Sequence, residues 1–106
     1  MPKYMFRANL TGEGAAGVLK EGGTARRESV RQTIEGLGGT MESFYFAFGD
    51  TDVYGVADLP DHAAAAAFSM TVSSSGIVGV ATTVLLTPEE VDEAKGRSVD
   101  YRPPGR

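Results

Sequence analysis

Apolar and polar side chains alternate over residues 3–10, where every second residue from Tyr4 to Leu10 is apolar. A period of two is typical of a β-strand that buries one face. Residues 40–48, 52–59 and 78–86 are rich in the aromatic or β-branched side chains that favour strands. The pattern therefore predicts four strands.

The segment between the first two strands carries the spacing and the end signals of helices. Thr11 is a predicted N-cap for a short helix that includes Val18 and ends at Gly22. A longer helix is predicted from a second cap at Thr24 to about residue 37. Its apolar stripe consists of Val30, Ile34 and Leu37, and its exposed side is predicted to carry Arg26, Arg27, Glu28, Arg31 and Glu35.

Two further helices are predicted later in the chain. Asp61 is a favourable N-cap for a helix that runs through an alanine-rich segment to about residue 75. Thr87 and Pro88, with Glu90 three residues after the threonine, have the signature of a capping box and begin a short final helix. Residues 96–106 lack such a pattern, and we expect them to form a flexible tail.

The order strand, helix, hairpin, helix, strand is that of the ferredoxin-like βαββαβ motif, an α+β architecture. The short link at residues 49–51 predicts that the second and third strands form an antiparallel hairpin. We therefore expect a four-stranded antiparallel sheet with two helices on one face. The opposite face would expose Met5 and the hairpin aromatics, more apolar surface than a monomer usually leaves uncovered. We predict that the chain forms a homo-oligomer, a dimer, through this face.

The composition limits the classes of function. With 106 residues, of which 42% are hydrophobic, the chain is long enough for one core, and we expect one domain over residues 1–95 followed by the tail. The sequence has no signal-peptide pattern and no apolar run of the roughly 20 residues that a membrane span needs, so we expect a cytoplasmic protein without a membrane partner. Its scattered basic residues and net charge of -4 argue against nucleic acid as a partner.

Several metal and cofactor sites are disfavoured by the residues themselves. The chain has no cysteine, which excludes a thiolate nucleophile and cysteine-based metal sites. Residues 12–17 read G-E-G-A-A-G, the glycine spacing of dinucleotide-binding loops, but the next strand turns into a hairpin, so we interpret the segment as a strand-to-helix loop. Asp50 and Asp52 have the spacing of a shared cation site, yet aspartate is also a favoured turn residue. We expect no metal and no cofactor.

Residues along most of the chain resemble the GYD-domain family of small bacterial proteins. The resemblance covers about residues 3–95 and rests on Pro2-Lys3-Tyr4 through Thr11, Gly38-Gly39, Phe44-Tyr45, Gly49 with Asp52, Leu59-Pro60-Asp61 and Gly76. It implies a ferredoxin-like fold, an association like that of the dimeric α+β barrel proteins, and no generally established activity. Thr51 stands where the tyrosine of the family's Gly-Tyr-Asp segment is expected, and residues 77–80 are apolar where the family tends toward polar and basic ones. A more apolar cavity between the sheet and its partner is therefore implied.

Polar side chains on three adjacent predicted strands form a candidate site: Arg7, Asn9, Tyr45, Asp52 and Tyr54. In dimeric α+β barrels such groups border an apolar cavity for small aromatic or polyketide-like molecules. By this analogy Tyr45, Asp52 and Tyr54 are candidate proton-transfer groups, and Arg7 and Asn9 are candidate substrate-binding groups. An alternative is that all five form interface hydrogen bonds or lie at an exposed edge.

His62, the only histidine, is a further candidate catalytic residue. Its position beside the helix cap Asp61 also fits a solvated residue of the first helical turn. Catalysis by His62 would require that this helix start faces a pocket.

Three functions are compatible with these residues. The first is a self-associating protein that binds a small apolar or aromatic molecule in a cavity at the sheet face. The second is a cofactor-free enzyme of the monooxygenase or cyclase and isomerase kind, acting on a small aromatic or polyketide-like substrate. The third is a structural or regulatory oligomer without a ligand.

Overall fold

The computed structural model describes all 106 residues and contains four strands and four helices. In chain order these are β1 (Lys3–Leu10), α1 (Gly12–Glu21), α2 (Gly23–Gly36), β2 (Thr40–Phe46), β3 (Val53–Asp58), α3 (His62–Ser74), β4 (Val78–Leu85) and α4 (Pro88–Lys95). Every element that the sequence pattern predicts is present. The hairpin strands are shorter than predicted, because β2 ends at Phe46 and β3 begins at Val53.

The four strands form one antiparallel sheet in the order β2-β3-β1-β4. β1 lies inside the sheet, paired with β3 on one side and with β4 on the other. α2 packs on β2 and α3 packs on β4, so the helices cover one face of the sheet. The other face, which has no helical layer, is called the open face below. The ferredoxin-like βαββαβ fold is confirmed.

The core lies between the sheet and the helices. Tyr4 and Phe6 of β1 belong to one buried cluster with Ile34 of α2 and Phe68 of α3. The rings of Phe6 and Phe68 meet edge to face, with centroids 4.7 Å apart. Full burial of such a side chain stabilises the fold by about 1.5–3 kcal/mol, so these residues hold both helices onto the sheet.

A β-bulge in β2 changes which side chains face the core. The pairing with β3 shifts between Met41 and Ser43, which makes Glu42 an extra residue in the ladder. Met41 is consequently buried on the helix-covered face together with Phe44. Strict alternation predicts Met41 on the same side as Ser43 and Tyr45. That prediction is wrong, because one inserted residue reverses the alternation beyond it.

The hairpin aromatics divide between the two faces. Phe44 and Phe46 lie on the helix-covered face, where their rings meet edge to face with centroids 5.4 Å apart. Tyr45 and Tyr54 lie opposite each other on the open face. The expectation that all the hairpin aromatics add to the open face is therefore wrong for the phenylalanines, and the apolar area of that face comes from the tyrosines and from aliphatic residues such as Met5.

Side-chain caps begin three of the four helices. Thr11, Asp61 and Thr87 each accept a hydrogen bond from a backbone N–H of the first turn, as predicted. α2 begins directly after Gly22 and has no side-chain cap. Gly22 has a φ of 92°, a left-handed conformation that glycine adopts at little cost. The predicted cap at Thr24 is wrong, because the glycine reverses the chain before that residue.

The chain after β4 extends away from the sheet. α4 has the predicted capping box but makes no extensive contact with another element, and its apolar Val91 is 52% exposed. The radius of gyration is 16.8 Å, compared with about 13 Å for a compact chain of about 100 residues. The division into a domain at residues 1–95 and a flexible tail stays a prediction.

No helix of the protein combines the length and the apolar character that crossing a membrane requires.

Candidate functional site

A cavity of about 140 Å³ lies between the sheet and the helix layer. Its floor is the helix-covered face of β1 and β3, with Phe6, Ala8 and Gly55 among the lining residues. α2 forms one wall, and α3 and β4 form the other. Phe46 of β2, which is 39% exposed, is also among the lining residues.

The cavity exists because Gly55 adds no side chain to its floor and because the two helices above it are separated. Gly55 is paired with Phe6 of β1 and with Phe44 of β2. A Cβ added to Gly55 would meet only the Ser43 carbonyl oxygen and the Phe44 ring, both at 3.6 Å or more. α2 and α3 each pack on a different strand and make no extensive contact with each other. The centre of the sheet is therefore left partly uncovered.

The polar part of the lining comes from one wall. Arg26, Ser29 and Thr33 are the polar side chains among the lining residues, and all three belong to α2. With Val30 and Ile34 they follow the spacing of three and four residues that defines one face of a helix. The prediction that Arg26 lies on the exposed side of this helix is wrong, because it is four residues before Val30 and so lies on the stripe that faces the sheet.

The Arg26 guanidinium has unused hydrogen-bonding capacity beside the cavity. Its Nη2 donates to Ser29 Oγ at 2.5 Å. Its Nε is buried and has no hydrogen-bond acceptor; a Glu21 carboxylate oxygen lies 3.4 Å away, in ion-pair range but without hydrogen-bond geometry. Because a guanidinium carries five N–H donors, Arg26 can still bind an acceptor in the cavity.

Four of the residues predicted from the sequence lie on the open face. Tyr54 of β3 is opposite Arg7 of β1 and opposite Tyr45 of β2, so the three form a row across the sheet. Tyr45 is 70% exposed and Tyr54 is 40% exposed. Asn9 lies two residues beyond Arg7 on the same face of β1, next to Gly79 of β4. The structure brings these four side chains onto one solvent-facing surface.

Asp52 and His62 lie elsewhere. The Asp52 carboxylate accepts a hydrogen bond from the Leu10 N–H at 2.8 Å, and its own N–H donates to the Ala8 carbonyl at 3.0 Å. Asp52 therefore ties the β2–β3 loop to the end of β1. His62 begins α3, where its Nδ1 and the Tyr4 Oη share a hydrogen bond of 2.6 Å. The candidate proton-transfer groups thus occupy three separate places.

The glycine-rich segment at residues 12–17 forms the first turns of α1. The Thr11 N–H donates to the Ile77 carbonyl at 3.1 Å, which joins the start of α1 to the loop before β4. A Cβ on Gly14 would collide with that same carbonyl oxygen. Close packing therefore explains this glycine. The sheet is antiparallel throughout, whereas the dinucleotide fingerprint belongs to a parallel βαβ unit.

Charged side chains form a cluster at one end of the open face. Lys3 Nζ lies 2.5 Å from Glu42 Oε2 and 3.0 Å from Asp58 Oδ1. The hydrogen bond to Glu42, and after it the hydrogen bond to Asp58, raise the pKa of Lys3 above its ordinary value of 10.5. Since both carboxylates are engaged by Lys3, the cluster links three strands and has no uncommitted carboxylate to act as a base.

The residues that form the cavity are absent from the set predicted from the sequence. Gly55 has a readable signal, because an isolated glycine inside a strand pattern indicates a bulge or a close approach. Arg26 also has one, since its spacing to Val30 and Ile34 is that of the apolar stripe. The separation of α2 from α3 has no local signal, and it is this separation that makes the space.

The family of the chain follows from comparison with known proteins. Neither the curated proteins nor the solved structures contain a significant match. A family model, described as GYD domain, matches residues 4–94 of the 106. This span contains all the residues that line the cavity and nearly the whole of the sheet. The protein therefore belongs to the GYD domain family.

Proposed function

We propose that the protein binds a small apolar molecule, the size of a single ring, in the cavity over Gly55. The observation that carries this proposal is an apolar space at the centre of the sheet, beneath two helices that make no extensive contact with each other. A glycine inside a strand is one of the ways in which a fold lets a ligand approach the backbone closely. The function supported best is therefore that of a small-molecule-binding protein.

The volume limits the ligand. About 140 Å³ is close to the roughly 150 Å³ of an apolar cavity that holds benzene. It is smaller than the roughly 300–1,000 Å³ of pockets for drug-sized ligands. We therefore favour a single aromatic or alicyclic ring over the fused rings of a polyketide.

The cofactor-free enzyme hypothesis has less support. It requires proton-transfer groups that converge on one bound molecule. Tyr45 and Tyr54 are on the opposite face of the sheet from the cavity, the Asp52 carboxylate already accepts from the Leu10 N–H, and His62 does not line the cavity. Binding needs only the apolar lining, which is present.

We also propose that a second copy covers the open face. This proposal is supported by the exposed side chains of Tyr45 and Tyr54, which contact with a second sheet would bury. It is also supported by the segment after β4, which extends away from the sheet. Because the cavity lies on the helix-covered face, ligand binding and self-association are separate proposals. Each can fail without the other.

Ligand binding is tested by titrating the protein with benzyl alcohol while recording amide chemical shifts. We expect saturable shifts centred on Gly55 and on β1. Gly55→Val places three carbon atoms in the cavity floor and should weaken binding at least tenfold. Gly79→Val is the matched control, because Gly79 is also inside a strand but has open space around it on the other face.

Both folding and binding are measured for each Gly55 variant. Gly55→Ala adds a single methyl group at ordinary contact distances, so it should fold even if the valine variant does not, and it should still weaken binding. An absence of saturable shifts in the unaltered protein, or equal binding by both folded Gly55 variants and the control, would contradict the proposed function.

A further inference from the structure

We propose that the ligand of this cavity is an anion, a small ring-bearing carboxylic acid whose carboxylate is bound by Arg26. The inference rests on the proposed function, since it names the chemical class of the molecule in the same cavity. It follows from the charge, the donor geometry and the distribution of polarity along the lining.

The lining has one charged side chain. Arg26 is the only charged residue that borders the cavity, and no aspartate or glutamate is among the lining residues. The remaining surface is apolar apart from two hydroxyl groups on α2. An anionic group on the ligand would therefore meet an attractive charge and no carboxylate among the lining residues, although the Glu21 carboxylate lies 3.4 Å from Arg26 Nε outside the lining.

The guanidinium offers donors in the geometry that a carboxylate uses. Arg26 Nη2 is hydrogen-bonded to Ser29 Oγ, whereas the shielded Nε–H has no acceptor. An N–H that is shielded from water and left unpaired is unfavourable. A carboxylate can accept two parallel N–H bonds from an arginine, so a bound carboxylate would satisfy the Nε–H and a neighbouring N–H together.

The two hydroxyl groups differ in what they can add. Thr33 Oγ1 already donates to the Ser29 carbonyl at 3.1 Å. Ser29 Oγ accepts from Arg26, which leaves its own O–H as a donor. The anion subsite is therefore formed by Arg26 and Ser29, while the apolar ring of the ligand lies over Gly55.

The position of Arg26 also suits a charged group. The side chain borders the cavity and is 34% exposed, so solvent reaches part of it. A carboxylate bound there keeps part of its hydration, which limits the cost of removing a charge from water. The polarity of the lining thus orients the ligand, with the ring inward and the carboxylate outward.

Glu21 is the competing acceptor within the chain. Its carboxylate lies 3.4 Å from Arg26 Nε and is 38% exposed. A small movement of Glu21 would satisfy the same N–H that we assign to the ligand. If the inference is right, removing this carboxylate strengthens the binding of an anionic ligand.

The test compares benzoate with benzyl alcohol, which has the same ring and a neutral oxygen group, by calorimetric titration at neutral pH. We expect benzoate to bind the unaltered protein about tenfold or more tightly than benzyl alcohol, as charged hydrogen bonds allow. Arg26→Met should weaken the binding of benzoate at least tenfold and change the affinity for benzyl alcohol by no more than about twofold. Glu21→Gln should strengthen the binding of benzoate and leave that of benzyl alcohol unchanged.

The control and the second variant separate the roles of charge and shape. Arg27→Met removes the same charge from the next residue of α2, which is paired with Glu28 and does not line the cavity, so it should leave both affinities unchanged. Arg26→Lys keeps the charge without the forked donors and should weaken the binding of benzoate at least threefold. This variant tests whether Arg26 binds the carboxylate if Arg26→Met does not fold.

The results distinguish the two proposals. Equal binding of benzoate and benzyl alcohol, or benzoate binding that survives both Arg26 substitutions, would overturn the anion assignment and leave the cavity as a site for neutral molecules. If neither probe binds the unaltered protein, the proposed function fails along with the inference.

Discussion

The Lys3 side chain joins three strands. It belongs to β1, and its ammonium group contacts Glu42 of β2 and Asp58 of β3. Glu42 is the residue inserted by the bulge, so the irregular position in the ladder supplies one of the two carboxylates. The side chains are partly exposed, which places the contribution of the cluster at less than about 1 kcal/mol.

The pH dependence of this cluster can be predicted from the raised pKa of Lys3. A group whose pKa is higher in the folded state stabilises the fold below its ordinary pKa, here 10.5, and loses that contribution as the pH rises through the raised value. Lys3→Met should therefore lower the melting temperature slightly at neutral pH, and the difference from the unaltered protein should disappear in strongly alkaline solution.

Circular dichroism melts from about pH 7 to about pH 12 measure this difference. Lys20→Met is the matched control, because Lys20 has no ion-pair partner in the structure and its substitution should give a small effect without this pH trend. A difference for Lys3→Met that stays constant or grows with pH would contradict the assignment.

Capping residues determine where helices begin. The Ala64 N–H donates to the Asp61 carboxylate at 2.8 Å, and this bond begins α3 directly after the loop from β3. α3 in turn supplies Phe68, which packs on Phe6. The cap therefore determines where one wall of the cavity starts.

Asp61→Ala should destabilise the protein by about 0.5–2 kcal/mol, because it leaves a first-turn N–H without its acceptor. Asp61→Asn keeps an oxygen acceptor of similar capping strength and should cost much less. Chemical denaturation of the two variants gives the comparison. An equal loss in both would indicate that the charge of Asp61, and not the hydrogen bond, carries the effect.

The elements differ in how far the sequence predicts them. Four strands, four helices and three caps follow from local signals, since alternation and capping depend on neighbours within a few residues. The bulge at Glu42 does not, because it depends on the register with β3. Arg26 is predicted as exposed from its charge, although its spacing places it on the inward stripe. The cavity depends on the distance between α2 and α3, which local patterns do not contain.

The molecule is more extended than its length requires, with dimensions of 56 × 33 × 22 Å. The segment after β4 extends away from the sheet and exposes Val91, Val99 and Tyr101. The open face exposes Tyr45 and Tyr54. Both features support the proposal that a second copy covers these surfaces.

Light scattering coupled to size-exclusion chromatography should therefore give about twice the chain mass of 11.1 kDa. Tyr54→Lys places a charge next to Arg7 on the open face and should shift the protein to the monomer. Leu19→Lys is the control, because Leu19 is 88% exposed on α1, away from that face, and should leave the dimer intact. A monomeric unaltered protein, or a Tyr54 variant that remains dimeric, would contradict pairing through this face.

The separation of α2 from α3 has a consequence for the amount of folded protein. A molecule bound in that gap would touch both helices and act as a removable part of the core, so the free energy of unfolding would rise with the logarithm of its concentration above the dissociation constant. Unfolded chains are cleared by proteases, and a change of one or two kcal/mol alters abundance several-fold. The level of the protein in a cell would then report how much of the ligand is present.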